Sequence, residues 1–202
     1  MFVDLFLDRL QEDVIMSSFQ SNSRFHQEKR HQIIRVNQAG EYGAVQIYKG
    51  QLQVTKDPEV RSILETMLEQ EKNHLQRFDE QIIKNRVHPT IFEPLWHVAG
   101  FALGAVTGLM GKKAVMACTT AVEEVIDAHY KSQEEYLEKH VYGEPTKEDQ
   151  ELKSLITQCR QEELEHRDIG YAHGAKEAIG YPLLSNSIKI ASKIAIWLSK
   201  RF

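Results

Sequence analysis

The sequence predicts an all-α protein, a four-helix bundle built from two antiparallel helical hairpins, and three observations support this fold class. After residue 24, no stretch alternates apolar and polar residues as a half-buried strand does. Turn signals are few and far apart, so long helical segments lie between them. The 202 residues, of which 42% are hydrophobic, suffice for one domain with a substantial core.

Five short segments mark where the predicted helices begin and end. Residues 56–59 (Lys-Asp-Pro-Glu) place a capping Asp before a proline that suits a first helical turn. Residues 85–89 end the second helix at a proline. Residues 142–145 (Tyr-Gly-Glu-Pro) end another helix, and residues 146–149 (Thr-Lys-Glu-Asp) resemble a capping box that opens the next. Residues 180–182 (Gly-Tyr-Pro) form the last break.

These segments leave two long hairpins, at about residues 26–84 and 112–178. An apolar crossover at about residues 90–111 joins them, and an amphipathic C-terminal helix follows at about residues 183–202. Two antiparallel hairpins joined by one long crossover form the ferritin-like variant of the four-helix bundle. We therefore expect a single ferritin-like domain over residues 26–202.

Residues 1–25 are expected to be an N-terminal extension, and the sequence leaves its role open. A secretory signal needs an unbroken apolar core and a transit peptide is poor in acids, so neither is expected here. A short amphipathic helix is the alternative. The acidic residues that interrupt the apolar ones are Asp4, Asp8, Glu12 and Asp13.

Composition argues against a nucleic-acid partner and against a disulfide framework. The net charge is -4 and the pI is near 6.1, which does not suit a surface that binds nucleic acid. The cysteines, Cys118 and Cys159, have no Cys or His at zinc-ligand spacing. We expect both to be small buried apolar residues in a reducing compartment.

Three segments contain Glu-x-x-His, and they begin at Glu28, Glu71 and Glu163. This spacing places a carboxylate and an imidazole on one helix face, a pair that suits iron or manganese. The motif alone is weakly specific. Di-iron bundles combine two such pairs with one further Glu on each neighbouring helix, so the test is whether that Glu lies at the same height.

Facing residues of an antiparallel hairpin lie equally far from its turn. Glu41 and the pair at 71 and 74 are centred near residue 57, while Glu123 and the pair at 163 and 166 are centred near residue 144. At about 1.5 Å per residue, the first half-site lies about 25 Å from its turn and the second about 30 Å from its own, whereas His31 lies about 15 Å along the helix from Glu41. The expected metal ligands are four Glu and two His: Glu41, Glu71, His74, Glu123, Glu163 and His166.

Spacing leaves alternatives open around the second half-site. Any single Glu could be a solvated helix charge, and Glu124 competes with Glu123. Asp127 and Tyr130 follow Glu123 by one and two helical turns on the same face. Tyr130 is therefore the candidate catalytic residue, as a donor of a hydrogen bond or an electron, and an ordinary core tyrosine is the alternative.

Gly40 and Gly43 flank Glu41 within the first predicted helix. A glycine inside a helix costs about 1 kcal/mol relative to alanine. The pair therefore indicates close approach by another backbone or access for a substrate, and a helix break at Gly40 is the alternative.

At these residues the sequence resembles the demethoxyubiquinone hydroxylases of ubiquinone biosynthesis. The likeness spans about residues 30–202 and is more specific than the di-iron pattern alone. The matching stretches are residues 35–44 (RVNQAGEYGA), 69–74 (EQEKNH), 94–104, 121–124 (AVEE) and 162–170 (EELEHRDIG).

The resemblance implies a site for two iron ions and selects Glu123 over Glu124. Glu41 and His74 would bind one iron, and Glu123 and His166 the other. Glu71 and Glu163 would bridge the two.

The resemblance also implies that O2 hydroxylates the ring of demethoxyubiquinol, with reducing equivalents from NADH. No Gly-x-Gly-x-x-Gly follows a predicted strand, so a nicotinamide would act transiently or through a partner. The expected partners are the quinol, a membrane surface and other ubiquinone-biosynthesis proteins, including a lipid-binding accessory partner, but no nucleic acid. A ferritin-like iron-storage protein and a non-catalytic quinone-binding scaffold are the alternatives.

Residues 94–111 contain no Asp, Glu, Lys or Arg, and their length reaches the lower limit of a transmembrane helix. A single crossing here would separate the two half-sites. We therefore expect a monotopic arrangement on the cytoplasmic face of a bacterial cell membrane or, alternatively, the matrix face of the mitochondrial inner membrane. A buried crossover or a dimer contact is the alternative for this segment.

Three glycines in this segment, and the terminal helix, add detail to that expectation. Small residues at four-residue spacing permit close helix packing. The terminal helix combines an apolar stripe with basic residues that suit anionic headgroups. The glycines are Gly100, Gly104 and Gly108, the stripe is Ile190, Ile194 and Trp197, and the basic residues are Lys189, Lys193, Lys200 and Arg201.

Overall fold

A computed structural model describes the backbone of residues 2–139 and 146–202, and the side chains of residues 23–139 and 146–202. Over these residues the chain is helical and contains no strand, so the predicted all-α class is confirmed. The helices are α1 Phe2–Val54, α2 Pro58–Asn85, α3 Glu93–Leu109, α4 Lys112–Lys139, α5 Lys147–Ala172 and α6 Tyr181–Ser199, with a 3-10 turn at Ala175–Glu177.

The helices form two hairpins, as predicted for a ferritin-like bundle. Helix α1 packs against α2, and α4 packs against α5. Helix α3 crosses between the hairpins along α1, and α6 returns along α4. Three boundaries differ from the prediction. Helix α1 is already helical from Phe2, with no break near residue 25, α5 ends at Ala172 and not near residue 178, and α6 begins at Tyr181.

The predicted caps at the start of α2 and α5 are present. The carboxylate of Asp57 accepts hydrogen bonds from the backbone N–H groups of Glu59 and Val60, at 2.9 and 3.2 Å. The hydroxyl of Thr146 accepts from the N–H of Asp149 at 3.2 Å. Each cap satisfies donors that the first helical turn leaves unpaired. The predicted break at residues 142–145 lies outside the described residues.

Helix α3 lies so close to α1 that only glycine fits at the contact. A Cβ on Gly104 would lie 2.0 Å from the carbonyl oxygen of Ile47, and one on Gly50 would lie 2.2 Å from that of Phe101. The small-residue spacing in the crossover therefore serves packing against α1. The opposite side of α3 is exposed, with Val98 at 66% and Leu109 at 75% of their full accessibility.

Over the residues that the structure describes, no helix is long and apolar enough to cross a membrane. The prediction that Cys118 and Cys159 are buried is confirmed, and both are free thiols.

Candidate metal centre

The buried stripe of α2 explains how charged residues enter the core. Its buried positions recur every three or four residues, which is the spacing of one helix face. Between Met67 and Phe78 that face carries Glu71 and His74, and every other buried position on the helix is apolar. The amphipathic pattern that folds the helix thus also aims these two side chains inward.

Four helices bring the six predicted ligands into one buried cage. Each of the six side chains is at most 1% exposed. Their potential ligand atoms form two groups, and within each group all atoms lie within 4.8 Å of one another. Glu71 and Glu163 belong to both groups, Glu41 and His74 to the first, and Glu123 and His166 to the second.

Both imidazoles turn Nδ1 toward the carboxylates. In the first group, Nδ1 of His74 lies 3.2 Å from Oε1 of Glu163 and 3.6 Å from Oε2 of Glu41. In the second, Nδ1 of His166 lies 3.2 Å from Oε1 of Glu71 and 3.3 Å from Oε2 of Glu163. The carboxylates of Glu71 and Glu163 therefore lie between the two histidines and belong to both groups.

The hydrogen bonding of the cage fits two metal ions. Buried polar atoms are normally paired, yet eight inward atoms of these ligands accept or donate no hydrogen bond among the described residues. Both oxygens of Glu71 and of Glu163 are unpaired. The other unpaired atoms are Oε2 of Glu41, Oε2 of Glu123 and Nδ1 of each histidine. Carboxylate oxygens and imidazole nitrogens are a donor set that suits iron or manganese.

Electrostatics in the cage also favour a cation. Burial, followed by repulsion from Glu163, raises the pKa of Glu71 and that of Glu123 well above the usual range. Burial alone would raise the pKa of Glu163 as well, but the imidazoles of His166 and His74 beside its carboxylate lower it to about 2. Four buried carboxylates cannot all stay ionised without positive charge beside them, and two divalent cations would supply it.

Two tyrosines hold the carboxylates of the outer ligands. Tyr130 on α4 donates a hydrogen bond to Oε1 of Glu41 on α1. In the same way, Tyr48 on α1 donates to Oε1 of Glu123 on α4, at 3.1 Å. The contact agrees with the hydrogen-bonding role expected for Tyr130, whereas its catalytic role stays a prediction. Sequence reasoning missed Tyr48, although it follows Glu41 by the same seven residues that separate Tyr130 from Glu123.

Replacing either tyrosine by phenylalanine is expected to destabilise the protein. Each change leaves a buried carboxylate oxygen without its donor, which costs about 1–3 kcal/mol. Urea unfolding of Tyr48→Phe and Tyr130→Phe measures the loss. Tyr171→Phe is the matched control, because Tyr171 donates to the half-buried Glu124 and its loss should cost less. Equal losses in all three variants would contradict the expectation.

The remaining candidates lie outside the cage. Glu124 forms an ion pair with Lys189 of α6. Asp127 accepts from the guanidinium of Arg160 at 2.6 Å. The third Glu-x-x-His, which begins at Glu28, belongs to neither ligand group.

Comparison with known proteins agrees with this geometry. A family model described as ubiquinone biosynthesis protein COQ7 matches residues 28–199. A 3-demethoxyubiquinol 3-hydroxylase of Rhodospirillum rubrum is 52% identical over 169 residues, or 83% of this chain and 76% of that protein. A mitochondrial NADPH-dependent 3-demethoxyubiquinone 3-hydroxylase of Rattus norvegicus is 49% identical over 171 residues, covering 85% and 77%. A mitochondrial 5-demethoxyubiquinone hydroxylase of Saccharomyces cerevisiae is 39% identical over 178 residues, covering 84% and 76%.

Proposed function

This chain belongs to the family of ubiquinone biosynthesis protein COQ7, and from that premise we propose that it is a di-iron enzyme that hydroxylates the ring of demethoxyubiquinol. The observation that carries the proposal is the cage of four carboxylates and two imidazoles whose inward atoms are unpaired. Two iron ions bound there would supply the activation of O2 that ring hydroxylation requires.

The ligands divide into outer and bridging residues according to their free oxygens. Glu41 and Glu123 each have one oxygen engaged by a tyrosine and one free, as suits a ligand to a single iron. Glu71 and Glu163 have two free oxygens and belong to both groups, as suits a bridge. We assign His74 to the iron of Glu41 and His166 to that of Glu123.

An apolar cavity beside the cage is the proposed place for the quinol. Its volume is about 290 Å³, and α1, α3, α4 and α6 form its walls. Gly40 and Val122, which line it, are the chain neighbours of Glu41 and Glu123. Small apolar residues dominate the walls, a lining that suits a benzoquinol with an isoprenoid tail. Storage of iron requires no such cavity.

Two glycines keep this cavity open. Helix α1 runs through Gly40 and Gly43 without a break, so the alternative of a helix break is wrong. A Cβ at either position would meet no atom within 4 Å, so there is room for a larger side chain at both positions. Alanine would favour the helix by about 1 kcal/mol at each position. We propose that the open space admits the quinol ring.

Filling the cavity at Gly43 is expected to weaken quinol binding. Gly43→Leu places a branched side chain in the space proposed for the ring, and the KM for the quinol should rise by about tenfold or more. Gly43→Ala is the matched control and should raise the free energy of unfolding by about 0.5–1 kcal/mol. Steady-state kinetics and iron content measure both. An unchanged KM in an iron-loaded Gly43→Leu protein would remove the cavity from the proposal.

Isotope labelling tests the proposed reaction. The chain is reconstituted anaerobically with Fe(II), then given a reduced demethoxyquinone and ¹⁸O2, and the product mass is recorded. We expect one labelled oxygen atom in the product ring. Zinc-loaded protein is the control and should be inactive, because zinc has no redox chemistry. Label that enters from water, or turnover with zinc, would contradict an O2-dependent hydroxylase.

A reduced nicotinamide is the proposed electron source. The resemblance implies NADH, while the relative from Rattus norvegicus is called NADPH-dependent. Turnover with each nucleotide in the ¹⁸O2 experiment separates the two.

We also propose a peripheral location at a membrane surface, in a bacterium or in a mitochondrion, where other ubiquinone-biosynthesis proteins and a lipid-binding accessory partner would meet this chain.

A further inference from the structure

The cage has an approximate two-fold symmetry that exchanges the two hairpins. A Glu followed seven residues later by a Tyr lies on α1 and again on α4, and each Tyr donates to the Glu of the other helix. A Glu-x-x-His lies on α2 and again on α5. The corresponding residues are Glu41 and Glu123, Tyr48 and Tyr130, Glu71 and Glu163, and His74 and His166.

The residues that precede the two bridging Glu also correspond to each other in position, but they differ in charge. The residue before each bridging Glu reaches across to the histidine of the opposite helix. Glu162 on α5 accepts from Nε2 of His74 at 3.1 Å, and Gln70 on α2 accepts from Nε2 of His166 at 2.9 Å. The corresponding positions thus carry an anionic carboxylate on one side and a neutral amide on the other.

Both contacts act on the outer nitrogen of an imidazole whose inner nitrogen faces the cage. Nδ1 of each histidine points at the carboxylates that would share its metal ion. When Nδ1 holds that ion, the ring hydrogen lies on Nε2 and is donated outward. An acceptor at this position orients the ring and raises the basicity of the ligating nitrogen. A charged acceptor does so more strongly than a neutral one.

We propose that Glu162 makes the two metal positions unequal, so that the position of His74 binds metal more tightly than that of His166. The inference rests on the proposed di-iron centre and deepens it. Glu162 acts through His74, as a positioning residue. Its side chain is 37% exposed, so it lies at the edge of the cage and is no part of the ligand set.

Exchanging the two acceptors tests the inequality. Stepwise Co(II) binding, followed by optical absorption, gives two dissociation constants for the intact chain. Glu162→Gln should weaken the tighter position by about tenfold. Gln70→Glu should tighten the weaker position by a similar factor. Each single variant then brings the two constants closer together, and the double variant separates them again.

Mössbauer spectra of the ⁵⁷Fe(II) protein provide a second measurement. These spectra would not change if Glu162 served only to stabilise the fold. We expect two distinct quadrupole doublets in the wild type and the double variant, and nearly coincident doublets in each single variant. Glu165→Gln removes an exposed charge from the same helix and should leave the ratio of constants unchanged.

Two outcomes would overturn the inference, and they are distinguishable. If every variant binds two Co(II) ions with the wild-type ratio, the two positions are not set apart by Glu162, while the proposed centre remains. If the wild type does not bind two metal ions, the proposed centre is wrong and this inference with it.

Discussion

Replacing Glu163 with alanine is expected to remove the bound metal and to lower hydroxylase activity by at least about 100-fold. Both carboxylate oxygens of Glu163 face the cage, and each lies within 3.3 Å of a histidine Nδ1. The change therefore takes one ligand from each metal position at once. Iron content after anaerobic reconstitution, together with quinol turnover, measures the effect.

Glu28→Ala is the matched control for this variant. Glu28 begins the same Glu-x-x-His sequence, but it is exposed on α1 and belongs to neither ligand group. We expect this protein to keep its iron and its activity. Circular dichroism of both variants shows whether the helices remain. Wild-type turnover by a folded, iron-poor Glu163→Ala protein would refute the ligand assignment.

Simple helix geometry was enough to place five of the six candidate ligands together, and the resemblance selected Glu123 over Glu124 as the sixth. The rise per residue fixes how far a side chain lies from its turn, so Glu41 and Glu71 could be placed at one height before any contact was known. The turn at Asp57 is capped as expected, which keeps the two helices in that register. The second hairpin follows the same rule, although its turn lies outside the described residues.

Contacts across the bundle could not be predicted in the same way. Spacing along one helix gives a height and a face, but not the partner that a side chain meets on another helix. Tyr48 and Glu162 were missed for this reason, since each bonds to a residue that is distant in sequence. The glycines of α3 illustrate the same limit. Their spacing indicated close helix packing, but only the structure identifies α1 as the partner.

The extent of α1 was missed for a different reason. The acidic residues before residue 25 weaken the apolar periodicity, so residues 1–25 were not predicted to continue the first helix of the bundle. Helix formation is cooperative, and a helix already nucleated by packing of its later turns extends at little cost while residues permit it. No glycine or proline occurs between Phe2 and Ala39, and the helix continues through that stretch.

The apolar side of α3 is expected to bind a membrane surface. Val98 and Leu109 are 66% and 75% exposed there, while the other side of the helix is packed on α1. Helix α6 carries a second exposed apolar stripe at Ile190, Ile194 and Trp197. Both helices form walls of the cavity proposed for the quinol. A docked protein could therefore receive the ring while the isoprenoid tail remains in lipid.

Liposome flotation of a Val98→Glu, Leu109→Glu double variant tests this prediction. Transfer of a Val or Leu side chain from water into an apolar phase contributes about 1.5–3 kcal/mol. Losing two of them, and adding two charges, should lower partitioning into anionic vesicles by at least about 100-fold. The affected residues lie on an exposed surface, so iron content should stay at the wild-type level.

Ile83→Glu is the control variant. It shows whether the loss of binding is specific to the α3 surface or follows from removing any exposed apolar side chain. Ile83 is 77% exposed on α2, a helix whose main contacts are with α1 and α5. This variant should float with the vesicles as the wild type does, because Ile83 lies on neither α3 nor α6 and does not line the cavity. The basic residues of α6, among them Lys193, predict that raising the salt concentration weakens binding of all floating variants. Iron-loaded wild type that stays with the soluble fraction at low salt, or a double variant that floats equally well, would contradict docking through α3.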